Sequence, residues 1–92
     1  MANIEMYTTQ VCPYCVRAKD LLKRKGQTVT EFRVDSDDAL RDEMLKRANG
    51  KRTVPQIFID GVHVGGCDDL YALDSAGKLD GMLNGTNSPS PA

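Results

Sequence analysis

The stretch TTQVCPYCVRAK, Thr8 to Lys19, sets two cysteines three positions apart with only a proline and a tyrosine between them. A close thiol pair can grip a metal, staple a fold or carry electrons. Zinc needs about four ligands, and beyond Cys12 and Cys15 the chain offers only Cys67 and His63, which form no second close pair. A structural staple belongs to small chains with an even, denser cysteine set made for an oxidising compartment, and three cysteines is neither. Redox chemistry is the reading left standing, and no metal is expected.

The elements around the pair support that reading. NIEMYT, Asn3 to Thr8, puts Ile4, Met6 and Thr8 on one face and Glu5 and Tyr7 on the other, the period of a strand. After it, Cys15, Ala18 and Leu22 fall at helical spacing, with Val16 beside them, up to Gly26. Cys12 then takes the N-cap and Pro13 the first helical position, where a missing N–H costs nothing. Cys15 follows one turn on, on the same face. Side chains three apart in a helix have Cβ atoms roughly 5–6 Å apart, near enough for a disulfide after local adjustment. The unsatisfied N–H groups of Tyr14 and Cys15 point toward the cap side chain, and with the helix dipole they favour a thiolate at Cys12. Cys15, deeper in the helix, is expected to remain a thiol until it is needed.

Further along, TVTEFRV (28–34) reads as a second strand, and DSDDALRDEMLKRANG (35–50) as a helix with the stripe Leu40, Met44, Ala48. VPQIFID and VHVG are strands joined by the Asp60-Gly61 turn. CDDLYALDSAG opens a helix with two aspartates in its first turn, where they suit the macrodipole; a short helical piece from Lys78 to Leu83 follows. One right-handed crossover joins the first two strands and the hairpin adds antiparallel strands. The fold class is therefore α/β, a small four-stranded mixed sheet flanked by helices with the outline of a thioredoxin-like fold. Residues 1–84 form one domain, and 85–92, of turn-rich composition, a disordered tail.

Ninety-two residues allow one modest core. At 40% hydrophobic but 5% aromatic, that core must be mostly aliphatic. A formal charge of -1 provides no electrostatic case for nucleic acid or an acidic membrane. The start MANIEMYTT has no basic and apolar leader pattern, and no run is long enough to span a bilayer. A soluble, cytoplasmic monomer is expected.

CPYC after a strand, TVPQIFIDG (Thr53 to Gly61) and GGCDDLYAL (Gly65 to Leu73), in this order and spacing, resemble a dithiol glutaredoxin of the bacterial glutaredoxin-3 type over nearly the whole chain to about Leu83. The resemblance implies a glutathione-dependent thiol–disulfide oxidoreductase with Cys12 and Cys15 catalytic. Its partners would be glutathione, as co-substrate, and glutathionylated or disulfide-bonded proteins, among them ribonucleotide reductase by family analogy. It also implies a cis Pro55 beside the cysteine pair, which turns the Val54 backbone toward the cysteinyl part of glutathione, with Thr53 alongside. Gly66, Cys67 and Asp68 would take the γ-glutamyl end at a helix start, with Asp68 or Asp69 facing its ammonium group, and Tyr14 would form one wall.

Each of these residues also has a plainer reading. Pro55 could break an edge strand, GGCDD could be a turn and cap, Tyr14 could be packing, Cys67 a bystander and His63 an ordinary sheet residue. The sequence departs from the family pattern at Thr9, where many relatives carry a lysine that binds the glycine carboxylate. Arg41 best matches a second cation of the family, with Arg17 and Arg52 as other sources of charge. Three rival readings are a thioredoxin-like reductase fed by a flavoenzyme, a carrier holding an iron–sulfur cluster between two chains, and a non-enzymatic binding module. The first would carry a tryptophan in its redox motif, the second usually has a serine at the second cysteine position or a smaller residue at Pro13, and the third would not need both cysteines.

Overall fold

A computed structural model describes residues 3–83. Eight elements follow in the order β1 (Ile4–Thr8), α1 (Pro13–Arg24), β2 (Val29–Arg33), α2 (Asp38–Arg47), β3 (Gln56–Ile59), β4 (Val62–Gly65), α3 (Cys67–Ser75) and α4 (Leu79–Leu83). The four strands make one sheet in the order β2-β1-β3-β4, with β1 parallel to β2 and antiparallel to β3, and β3 antiparallel to β4. This is the expected mixed sheet. The tail expected at 85–92 lies outside the described residues.

Alternation along the strands sorts the side chains into two cores. Ile4 and Met6 of β1 and Ile57 and Ile59 of β3 face the layer of α1, α3 and α4, where they pack with Ala18, Leu21, Leu22, Leu70 and Leu79. Tyr7 and Phe58 face the opposite way, onto Met44 of α2 and Ala48, the C-cap of that helix. Every residue of β3 is buried, because the strand has a neighbour on each side and helices over both faces. Its run QIFI accordingly shows no polar alternation. The α1 stripe is wider than the spacing predicts, since Leu21 is buried with Leu22 while Val16 remains half exposed.

Polar contacts tie the layers together. Arg47 of α2 donates to Glu5 Oε1 at 2.9 Å and to the Tyr7 hydroxyl at 2.9 Å, and that hydroxyl donates in turn to Glu43. Lys25, just past α1, bridges Asp74 and Asp80 at 2.7 and 3.0 Å and so anchors α3 and α4. The β3–β4 turn uses Asp60 at φ 51° and Gly61 at φ 82°, the two left-handed positions of a tight hairpin. Helix α2 starts later than its acidic lead-in suggests. Asp37 is its N-cap, accepting from Ala39 and Leu40 N–H, whereas Asp35 serves the loop before α1.

Candidate active site

The cysteine pair sits where β1 feeds α1. Cys12 is the N-cap, in extended conformation at φ -150°, and Pro13 opens the helix. The extended cap aims Sγ of Cys12 back over the first turn, where it accepts from the backbone N–H of Cys15 at 3.1 Å. Cys12 and Cys15 are joined in a disulfide with Cα atoms 5.2 Å apart, within the ordinary range. Cys12 is the more accessible sulfur residue, 8% exposed against 2% for Cys15. The third cysteine, Cys67, is free and buried. Burial pushes its thiol pKa up, against the opposing field of Arg17. A thiol kept protonated is a poor nucleophile, which fits a packing role.

The loop that delivers Cys12 is held by an anion. Asp35, beyond the end of β2, accepts from Gln10 N–H at 3.0 Å and pairs with Arg33 through two bonds of 2.9 and 3.0 Å. The Arg33 guanidinium and the Gln10 amide hold the Asp35 carboxyl down at about 2. Lys19 of α1 is tied to Glu31 at 3.1 Å, and Glu31 also accepts from the Thr8 hydroxyl at 2.7 Å. That hydroxyl, followed by burial acting the other way, sets the lowered pKa of Glu31.

Beside the pair lies an open groove of about 370 Å³. Tyr14, 55% exposed, forms one wall. Thr53, Val54 and Pro55 form another, with the Val54–Pro55 peptide cis. The start of α3 contributes Gly66, Cys67 and Asp68. Gly66 is the helix N-cap, and its backbone comes so near the strand wall that a Cβ there would lie 3.5 Å from the Pro55 carbonyl. The N–H groups of Cys67 and Asp68 open the helix and have no partner within it.

Asp69 has a different task from its neighbour. Its carboxylate accepts from Gly66 N–H at 3.0 Å, so it caps α3. Gly65 is required by the same arrangement: its φ is +117°, and a Cβ there would collide with that carboxylate. Of the two aspartates considered for a ligand ammonium group, Asp68 is therefore the one free to serve.

Thr9 and Arg41 do not line the groove. The Thr9 hydroxyl is turned to the Val11 carbonyl at 3.4 Å, and Arg41 lies on α2. Arg17 stands with Asp20, Lys23, Arg24 and Tyr71 around a separate depression. The cation among the lining residues is Lys51, which sequence reasoning passed over because KRANGKRT holds four cations with nothing to rank them. Gln56 was passed over as well. A lone amide opening an apolar strand was the signal: it is 1% exposed and fully engaged.

Comparison with known proteins agrees with this geometry. The glutaredoxin family model matches residues 4–64. Glutaredoxin 3 of Escherichia coli is 59% identical over 83 residues, covering 90% of this chain and 99% of its own. Among solved structures, glutaredoxin from Brucella melitensis has a TM-score of 0.81 at 51% identity, covering 98% of this chain and 96% of its own. A buckwheat glutaredoxin–glutathione complex has a TM-score of 0.82 at 32% identity, covering 97% and 83%. With its thiol pair at the start of α1 and its sheet in the thioredoxin arrangement, the chain belongs to the glutaredoxin family of thiol oxidoreductases.

Proposed function

We propose that this chain reduces protein–glutathione mixed disulfides and protein disulfides, drawing its electrons from glutathione. The observation that carries the reading is the groove. It runs from Tyr14, between the two cysteines, to a strand wall at Val54 and to the open N–H groups of α3, an arrangement suited to an extended peptide that ends in a carboxylate. The Val54 backbone pairs with the cysteinyl unit of glutathione. Cys67 and Asp68 N–H groups receive the γ-glutamyl carboxylate, the Asp68 side chain meets the ammonium group beside it, and Lys51 meets the glycine carboxylate. The buckwheat relative described as a complex with glutathione supports the choice of ligand.

The chemistry is thiolate exchange. Cys12 thiolate attacks the glutathionyl sulfur of a mixed disulfide, and the electron pair of the broken S–S bond leaves on the protein thiolate, which takes up a proton. A second glutathione thiolate then attacks the glutathionyl sulfur on Cys12, forming glutathione disulfide and returning the Cys12 thiolate. With a protein disulfide, Cys12 forms the mixed disulfide with substrate, Cys15 attacks Sγ of Cys12 to expel it, and two glutathiones reduce the resulting Cys12–Cys15 bond.

The test is reduction of a glutathionylated peptide with glutathione, glutathione reductase and NADPH. Saturable turnover in glutathione is expected. A protein that turns over with a thioredoxin-type flavoenzyme donor but not with glutathione would overturn the reading.

A further inference from the structure

We infer that Gln56 and His63 are positioning residues for the groove, a two-residue relay that holds Thr53 with its hydroxyl as a donor to the bound peptide; the inference rests on the glutathione reading above. The Gln56 amide donates to the Thr53 carbonyl at 2.9 Å and to Thr53 Oγ1 at 3.1 Å. Its other end lies 2.7 Å from Nε2 of His63. A backbone carbonyl only accepts, so the NH₂ end of Gln56 must face Thr53 and Oε1 must face the imidazole. Nε2 of His63 therefore carries a proton, and the relay has one direction: His63 to Gln56 to Thr53.

Two further features make the relay a built device. Gln56 is 1% exposed, and a buried amide left without partners is costly, so its bonds are held rather than sampled. His63 cannot swing away, because it pairs with Phe58 across the β3–β4 ladder and stacks on that ring at 4.8 Å and 25°. Burial, with the nearby Lys51 and Arg47 cations, pushes the imidazole pKa down, against Asp69. The consequence falls on the ligand side. Thr53 Oγ1 already accepts from Gln56, which leaves its own proton to be donated into the groove that Thr53 lines. The same bonds fix the chain just before Val54, the residue assigned to pair with the ligand backbone.

His63→Phe keeps the aromatic stack and removes the donor, whereas His63→Gln restores an N–H. Loss of one hydrogen bond predicts an apparent KM for glutathione raised about three- to tenfold in His63→Phe, with kcat within about twofold. His63→Gln should recover most of the KM, and His63→Phe should add little on top of Thr53→Val. An unchanged KM in His63→Phe, or effects that multiply fully with Thr53→Val, would overturn the relay while glutathione saturation by the parent still stands. A parent that does not saturate with glutathione removes both readings. The parent itself supplies a check that no misfolded variant can blur. Nitrogen NMR at pH 8 should show His63 as the Nε2–H tautomer and a slowly exchanging Gln56 side-chain amide; an Nδ1–H tautomer would overturn the proposal.

Discussion

The backbone N–H of Cys15 lies 3.1 Å from Sγ of Cys12 and points at it. The sulfur proposed as nucleophile is thus met by a donor from the residue proposed to resolve it, while Cys15, one turn into the helix, is 2% exposed against 8% for Cys12. Such a donor favours the thiolate of Cys12 and gives nothing comparable to Cys15. The two sulfurs are chemically unequal by position alone.

That inequality predicts unequal mutants. Cys12→Ser should abolish turnover of both glutathionylated and disulfide substrates. Cys15→Ser should retain reduction of a glutathionylated peptide, which needs only Cys12 and a second glutathione, and lose reduction of an intramolecular protein disulfide. Steady-state assays with the two substrates check this. Equal loss of peptide deglutathionylation in both variants would show the assignment to be wrong.

Gly65→Ala should be among the most damaging single changes. The φ of +117° is strained for any residue with a Cβ, and the added methyl would strike the Asp69 carboxylate that caps α3. Backbone strain of this kind costs about 1–3 kcal/mol, so Tm should fall by about 4 °C or more. Glutathione affinity should fall with it, because the start of α3 is one wall of the groove. Calorimetry and a glutathione titration decide; an unchanged Tm would mean the cap tolerates the methyl.

Asp35 gives a prediction in pH. Its carboxyl ordinarily titrates near 3.8 and is held at about 2 in the fold by Arg33 and the Gln10 amide. A depressed folded pKa contributes stability that is present above the unfolded value and is lost as pH falls through the folded one. The side chain keeps 31% of its surface in solvent, and the effect is local to the loop entering Cys12. Asp35→Asn should speed Gln10 amide exchange relative to the parent at neutral pH, and the two proteins should converge as pH falls through about 2. Equal exchange at neutral pH would rule out the anchor.

The sequence displayed its chemistry and its layers, but it did not display how polar side chains were shared out. Cys12, Pro13 and Cys15 could be placed because a cap, a proline and a turn of helix are local rules. The strands could be placed because Ile4, Met6 and Tyr7 alternate. Asp35, Asp37, Asp68 and Asp69 were another matter. Asp37 and Asp69 cap helices through bonds two or three residues along the chain, Asp35 anchors a loop through Gln10, 25 residues away, and Asp68 caps nothing; an acidic run by itself does not rank its members for these roles. Gln56 shows the same limit: its partners are Thr53 at a strand entrance and His63 across a hairpin, a geometry that no periodicity encodes.

The cation of the groove offers the last prediction. Lys51 lines it, and Thr9, at the end of β1, does not. If Lys51 meets the ligand's glycine carboxylate, Lys51→Ala should raise the apparent KM for glutathione by about 1.4- to 5-fold, the scale of an exposed ion pair. Added salt should erase most of the difference between the variant and the parent. Removing Lys51 also takes away a charge that opposes protonation of His63, so the histidine should titrate at higher pH in the variant. Thr9→Lys on that background adds an ammonium on a flexible stem beside the cysteine turn and should return part of the lost affinity. A Lys51→Ala protein with unchanged KM at low salt would transfer the role to another cation, and Arg41, Arg52 and Arg17 would then be replaced in turn under the same conditions.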